Sequence, residues 1–366
     1  MSTAQFAINA DRALAVRHAR LVLAIFLLAT VFFVGVTLSP LRSGFADSPD
    51  RGPGDVALYR SEIARMRQGE SYYNAAAAEL RSRGYPTHSL FNWRTPLPVW
   101  LLARVPGIEW GNALLGAVAL MLLLSSFSLL ADDSGLKSAL LSSVLLTGAL
   151  LPCILGELVV MSELWAGVLV ALSAVLFGLG RRNAGMASGL AALFLRELAA
   201  PYILVCLVLS AHERRWRELG LWFAGLAAYG LFFTCHVSQV VPRILPDDRA
   251  HAGSWLCFGG AGFLISTAQM NAFLLLLPQW ITAIYLAMAL VGCATWNTPA
   301  GRLVVWTTLM YCVAFSIAGH DFNQYWGSMI APLMCLPAGR APAVLMRLWQ
   351  AARPAALVLR AGHPAV

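Results

Sequence analysis

Apolar residues come in long blocks separated by short polar breaks. Runs over roughly 21–39, 110–131, 138–156, 159–180, 184–195, 199–211, 219–235, 272–295, 303–319 and 325–338 predict helices. Most of them approach the length of about 20 residues that crosses a bilayer. The runs 184–195 and 199–211 are too short to cross alone. Cationic segments flank both outer sides of this pair, so the pattern predicts a hairpin that returns to the side it left, with Arg196 and Glu197 at its apex. The expected fold is an all-α polytopic membrane protein with about ten transmembrane or half-membrane helices. It forms one integral-membrane domain over residues 1–366.

A polar stretch interrupts this pattern early, giving a large first outer loop over residues 40–96. Within it Val56, Tyr59, Ile63 and Met66 recur at three- and four-residue spacing, with Arg60, Glu62, Arg65 and Arg67 between them. That spacing predicts an amphipathic helix lying in the membrane interface. A second helix is expected over about 72–83, ended by Gly84 as a C′ residue before Tyr85-Pro86. The run Pro96-Leu97-Pro98-Val99-Trp100 leads back to the membrane. A smaller outer loop covers 236–271 and holds Arg243, Asp247, Asp248, Arg249 and His251; a cytoplasmic tail covers 340–366.

Composition agrees. The 366 residues are 59% hydrophobic and 12% charged, whereas a soluble domain carries about 25% charged residues. This excludes a soluble enzyme, a disulfide-stapled secreted domain and a disordered tail. The net charge is +8, and Lys137 is the only lysine among the 26 basic residues. These cations sit between apolar runs, so they orient the chain in a membrane and do not point to nucleic acid as a partner. Lys137, Arg181, Arg182, Arg214, Arg215, Arg217 and Arg302 fall in alternate short loops, which predicts that both termini are cytoplasmic. The seven cysteines show no metal-ligand spacing. No metal or nucleotide-triphosphate motif is present, and no cofactor is expected.

The remaining charges are the candidates for chemistry. Asp55 opens the first amphipathic helix; it is either a helix cap or a general base at the membrane surface. Glu157 reads as a solvated carboxylate in an outer turn. Glu163 heads an apolar helix, where an ionisable group needs a function or a partner. Arg196 and Glu197 are neighbours, and on a helix neighbours point about 100° apart, so each is expected to have another partner. An arginine at that depth suits a phosphate through its planar fork. His320 and Asp321 lie at the outer end of the ninth run beside Tyr325; the histidine is equally a capping residue or a phosphate ligand. Tyr72, Tyr73, Trp93 and Arg94 either contact a sugar or pack a juxtamembrane core.

These features share one placement, the outer ends of helices. With the stretches Gly54-Asp55-Val56-Ala57-Leu58-Tyr59, Gly69-Glu70-Ser71-Tyr72-Tyr73, Gly84-Tyr85-Pro86 and Trp93-Arg94-Thr95-Pro96-Leu97-Pro98, the chain resembles the GT-C type integral-membrane glycosyltransferases. It is most similar to the polyprenyl-phosphate-mannose-dependent group, glycosyltransferase family 87 and its relatives. The resemblance is best over the first hundred residues. Unlike many first-loop motifs of the wider class, Asp55 is followed by valine and not by a second acid.

The resemblance implies a GT-C-like fold in a bacterial inner (plasma) membrane, with the site facing outside. A polyprenyl-phosphate-linked hexose would be the donor, and a lipid or glycan the acceptor. Asp55 would be the base and the transfer would invert the sugar carbon. Arg196 and His320 would bind the donor phosphate, with Tyr59, Tyr72, Trp93, Arg94, Glu163, Glu197, Asp321 and Tyr325 around acceptor and sugar. The alternative is a lipid or solute transporter or flippase. Such proteins often pair two interrupted helices in inverted halves, and here one short hairpin stands without a matching one.

Overall fold

The computed structural model describes residues 3–39, 54–250 and 257–353, with side chains from residue 15 onward except that of Asp321. The tail beyond Arg353, His251 and the start of the first outer loop lie outside the described residues. The helices are α1 (Thr3–Leu38), α2 (Gly54–Arg67), α3 (Tyr72–Ser82), α4 (Leu97–Arg104), α5 (Ile108–Ser134), α6 (Leu136–Leu150), α7 (Ser162–Gly178) and α8 (Arg182–Leu195). They continue as α9 (Ala200–His212), α10 (Trp216–Val240), α11 (Gly260–Ala268), α12 (Ala272–Leu275), α13 (Gln279–Gly292), α14 (Pro299–Ile317) and α15 (Ala331–Ala352). There is no strand among the described residues. The chain is an all-α membrane protein.

The count of spans differs from the expected ten. Among the described residues, five helices are long and apolar enough to cross a membrane, or six if the 3₁₀ stretch Phe322–Met329 and α15, bent by 66°, form one broken span. Local chemistry explains the shortfall. The run 272–295 breaks at Pro278, which cannot continue a helix, leaving α13 with 14 residues. Before it, buried Asn271 caps α12 by accepting from the Phe273 amide at 3.0 Å and donates to the Leu145 carbonyl at 2.9 Å. The hairpin is formed as expected by α8 and α9, of 14 and 13 residues.

Two loop boundaries also move. Helix α10 runs on to Val240, and α11 occupies 260–268, so the second outer loop is shorter than 236–271. Helix α15 carries the chain past Arg340 to Ala352. Arg340 is 4% exposed there: its Nε donates to Ser134 Oγ at 2.7 Å and its Nη1 to the Gly292 carbonyl at 2.5 Å. It neutralises the C-terminal end of α13, where a cation is favoured.

Helix α7 is the centre of the bundle and is buried along nearly its whole length. It packs on α5, α8, α14 and the 321–329 turn. The approach to that turn is close enough that a Cβ at Gly167 would lie 2.0 Å from the Ser328 carbonyl oxygen. Large apolar side chains on α1, α5, α10 and α14 are exposed, among them Leu28, Leu124, Leu231 and Val313. These are faces suited to lipid. The end of the bundle holding the α7–α8 and α9–α10 turns carries a charge network. Arg182 donates both guanidinium arms to Glu218, and Glu213 pairs with Arg215 at 2.6 Å and with Arg302 at 2.7 Å.

Candidate functional site

At the opposite end, residues 54–96 fold over the bundle. Helix α2 carries Asp55, Tyr59 and Glu62 at spacings of four and three, which stacks them on one face. Tyr59 and Glu62 are both buried. The position of Glu62 corrects the amphipathic reading, which set it among the polar residues. It belongs to the stripe turned toward α3, and it is 2% exposed.

Asp55 stands inside the first turn of α2 and not before it. Its Oδ1 accepts the Tyr85 hydroxyl at 2.7 Å. The sequence that ends α3 delivers that tyrosine. Gly84 takes a φ of +72°, its amide donates to the Arg81 carbonyl at 3.0 Å, and the Tyr85 amide donates to the Leu80 carbonyl at 2.9 Å. This is a Schellman closure, and it turns the chain back over α2. Burial and the Asp55 carboxylate raise the pKa of the Tyr85 hydroxyl, so it remains a donor.

Arg94 is the hub. Its backbone is pinned on both sides: Tyr72 donates to the Arg94 carbonyl at 2.6 Å, and His236 Nε2 lies 3.2 Å from the Trp93 carbonyl. The Trp93 indole donates to the Thr87 carbonyl at 3.0 Å. Tyr72 and Trp93 are therefore buried flooring whose polar atoms are engaged with backbone. The Arg94 side chain leaves this frame and donates from Nε to Tyr59 Oη at 3.0 Å and from Nη2 to Tyr325 Oη at 3.2 Å. It also lies 3.8 Å from one oxygen each of Glu163 and Glu197.

Helices α7 and α8 bring the other partners. Glu163 sits in the first turn of α7. Helix α8 ends at Leu195, and Arg196 is extended, with φ −153° and ψ 118°. The break takes Arg196 and Glu197 off the helix, on which neighbours face each other poorly. Off the helix their side chains meet, Arg196 Nη1 donating to Glu197 Oε1 at 2.6 Å. Each also has a further partner, as expected: Arg196 Nη2 lies 2.9 Å from Glu163 Oε1, and Glu197 neighbours Arg94. Two arginines and two glutamates thus balance in a poorly solvated cluster, the arrangement that makes such burial affordable.

Tyr59, Arg94, Glu163, Arg196, Glu197 and Tyr325 therefore converge, and Asp55, bonded to Tyr85, lies within electrostatic reach of Tyr59 and Tyr325. His320 does not join them through any hydrogen bond or ion pair among the described residues. Its ring stacks on Phe322 at 5.2 Å, and its backbone amide donates to Asn323 Oδ1 at 3.0 Å. Glu157, read as a solvated carboxylate, pairs with Arg60. The sequence reading missed Tyr85, Glu62 and His236. The first two had a signal, the turn chemistry at Gly84 and the Asp55–Tyr59–Glu62 spacing; His236 lay in an apolar run with none.

The second outer loop braces the first. Arg81 Nε donates to Asp248 Oδ1 at 2.8 Å, and the His88 amide donates to the Arg249 carbonyl at 3.1 Å. The Arg81 hydrogen bonds hold the Asp248 carboxyl well below the usual carboxylate range. All seven cysteines are free.

No family model, curated protein or solved structure matches the chain.

Proposed function

We propose that the protein is a membrane glycosyltransferase that moves a hexose from a polyprenyl-phosphate donor to a lipid or glycan hydroxyl on the outer face of the membrane. The observation that carries this reading is the placement of a carboxylate, Asp55, bonded to Tyr85, within electrostatic reach of the tyrosines Tyr59 and Tyr325 that a partly accessible arginine, Arg94, bonds beside the apex of a short hairpin. Helix α8 has 14 residues, a rise of about 21 Å. That is shorter than the hydrocarbon layer of about 30 Å, which supports a site that a lipid-borne donor reaches from within the bilayer. The basic loops at the other end of the bundle support a cytoplasmic placement for that end, and outer exposure of the site in a bacterial plasma membrane.

In this reading Asp55, oriented by Tyr85, takes the proton from the acceptor hydroxyl. The acceptor oxygen bonds to the anomeric carbon while the carbon–oxygen bond to phosphate breaks, its electron pair leaving on the phosphate. One base and no carboxylate nucleophile give inversion. The geometry favours Arg94 over Arg196 as the phosphate ligand. The Arg196 side chain is 1% exposed, with both terminal nitrogens engaged by glutamates. That of Arg94 is 19% exposed and keeps only long contacts to them; with Nε and Nη2 donating to Tyr59 and Tyr325, its Nη1 is the arm open to an anion. Arg196 then positions the glutamates that hold Arg94.

The test is release of polyprenyl phosphate and formation of a glycosylated product when purified protein meets polyprenyl-phosphate hexoses and a membrane-lipid acceptor fraction. Turnover of any such donor supports the reading. Transport of the donor across vesicles without product supports the flippase alternative.

A further inference from the structure

We propose that Glu62 is a ligand-binding residue of this site, its buried carboxyl, unpartnered at Oε2, hydrogen-bonding a hydroxyl of the sugar seated between Asp55 and Arg94. The role rests on the transferase reading for its ligand, but its basis is the placement of Glu62.

Glu62 lies one turn beyond Tyr59 and two beyond Asp55 on the face of α2 that looks into the cluster. It is 2% exposed, and its Oε2 is sealed from solvent without a hydrogen-bond partner. Such a group costs free energy unless something later satisfies it. The cations within electrostatic reach, Arg94 and Arg83, are both engaged elsewhere. Arg83 donates from Nε to Glu79 Oε2 at 3.1 Å and from Nη2 to Ser61 Oγ at 2.8 Å, and Arg94 donates to Tyr59 and Tyr325.

The acids in reach are Glu79 on α3 and Asp55 on α2 itself, with the Tyr72 hydroxyl alongside. On the other elements packed against α2, Arg104 of α4 stacks on Trp100 and Glu157 is held by Arg60. Among the described residues no cation hydrogen-bonds Glu62. Burial and the neighbouring Glu79 push its pKa up to about 8, so at neutral pH it is an acid with a proton to donate. Glu79 takes the other role. Burial works against its ionisation, but the Arg65 and Arg83 hydrogen bonds hold it below the usual carboxylate range.

A sugar hydroxyl, which both donates and accepts, matches a neutral carboxyl better than a phosphate does. The terminal carboxyl turns easily about its last torsion, so a hydroxyl arriving beside Arg94 can engage it. Glutamine keeps a donor and an acceptor in the same shape, whereas alanine removes both.

The experiment is equilibrium binding of a short-chain polyprenyl-phosphate mannose to the full-length protein in detergent, followed by tryptophan fluorescence across the range from about pH 6 to about pH 9, which brackets the titration of a raised carboxyl. Glu62→Ala should weaken binding about tenfold, while Glu62→Gln stays within about twofold of wild type. Wild-type affinity should fall as pH rises through about 8, and that fall should vanish in Glu62→Gln. Equal affinity in all three proteins, or equal loss in both variants, overturns the role of Glu62 and leaves the transferase reading standing. Failure of the wild type to bind this donor defeats the transferase reading and removes the role with it.

Discussion

Arg196 Nη2 lies 2.9 Å from Glu163 Oε1, and neither side chain is more than 2% exposed. The pair joins the first turn of α7 to the apex of the α8–α9 hairpin. Removing one member leaves the other buried and uncompensated, at a cost of about 3–5 kcal/mol. Glu163→Gln and Arg196→Met should each lower the melting temperature of the detergent-solubilised protein. The double variant Glu163→Leu with Arg196→Met should recover most of the loss. Additive losses in the double variant would show that the two do not compensate each other.

Arg94 presents a planar fork, and its two neighbouring glutamates stay at 3.8 Å. If it receives the donor phosphate, Arg94→Ala forfeits a charge-assisted hydrogen bond of about 1.5–3 kcal/mol. That corresponds to a rise of about 10–100-fold in donor KM. Arg94→Lys should recover little, because a point charge does not replace the fork. An unchanged donor KM in both variants would move the phosphate elsewhere.

The brace between the outer loops is open to a pH measurement. A carboxyl with a lowered folded-state pKa contributes stability that is present above its unfolded value of about 3.9 and lost only as pH falls through the folded value. Because Asp248 is held low, the amide protection factors in 72–83 and 243–250, each taken against the intrinsic exchange rate at the same pH, should be the same at about pH 4.5 as at neutral pH. Asp248→Asn should lower them at both. Lower protection in the wild type at the lower pH would show that Arg81–Asp248 is not what holds the loops.

Close packing positions Tyr325. A methyl at Gly167 cannot be accommodated against the Ser328 carbonyl, so Gly167→Ala must push the 321–329 turn away from α7. Overpacking of this kind costs about 1–3 kcal/mol. The account expects lower transfer activity with the protein still folded, since Tyr325 would leave Arg94. Full activity in Gly167→Ala would mean that the contact of Arg94 with Tyr325 is dispensable.

Features that depend on neighbours in sequence were legible in advance: the amphipathic α2, the turn at Gly84, and the short hairpin ending at Arg196. Features that depend on how distant segments meet were not. Nothing local shows that Arg94 reaches between Tyr59 and Tyr325, the latter 231 residues further along the chain. The sequence places Arg196 and Glu197 at the hairpin apex, but it does not show the distant Glu163 and Arg94 that complete their pairing. The extended backbone at Arg196 is set by the packing of the hairpin. The buried Arg340 was misplaced for a similar reason: its partners Ser134 and Gly292 come from α5 and α13.

The central claim is that Asp55 is the base. Asp55→Asn keeps the shape of the side chain and an oxygen for Tyr85 to donate to, while removing the basic group. Measured as turnover of a polyprenyl-phosphate hexose by purified protein with the melting temperature of wild type, it should cut kcat by about 100-fold or more with little change in donor KM. Turnover at the wild-type rate in Asp55→Asn would contradict the account.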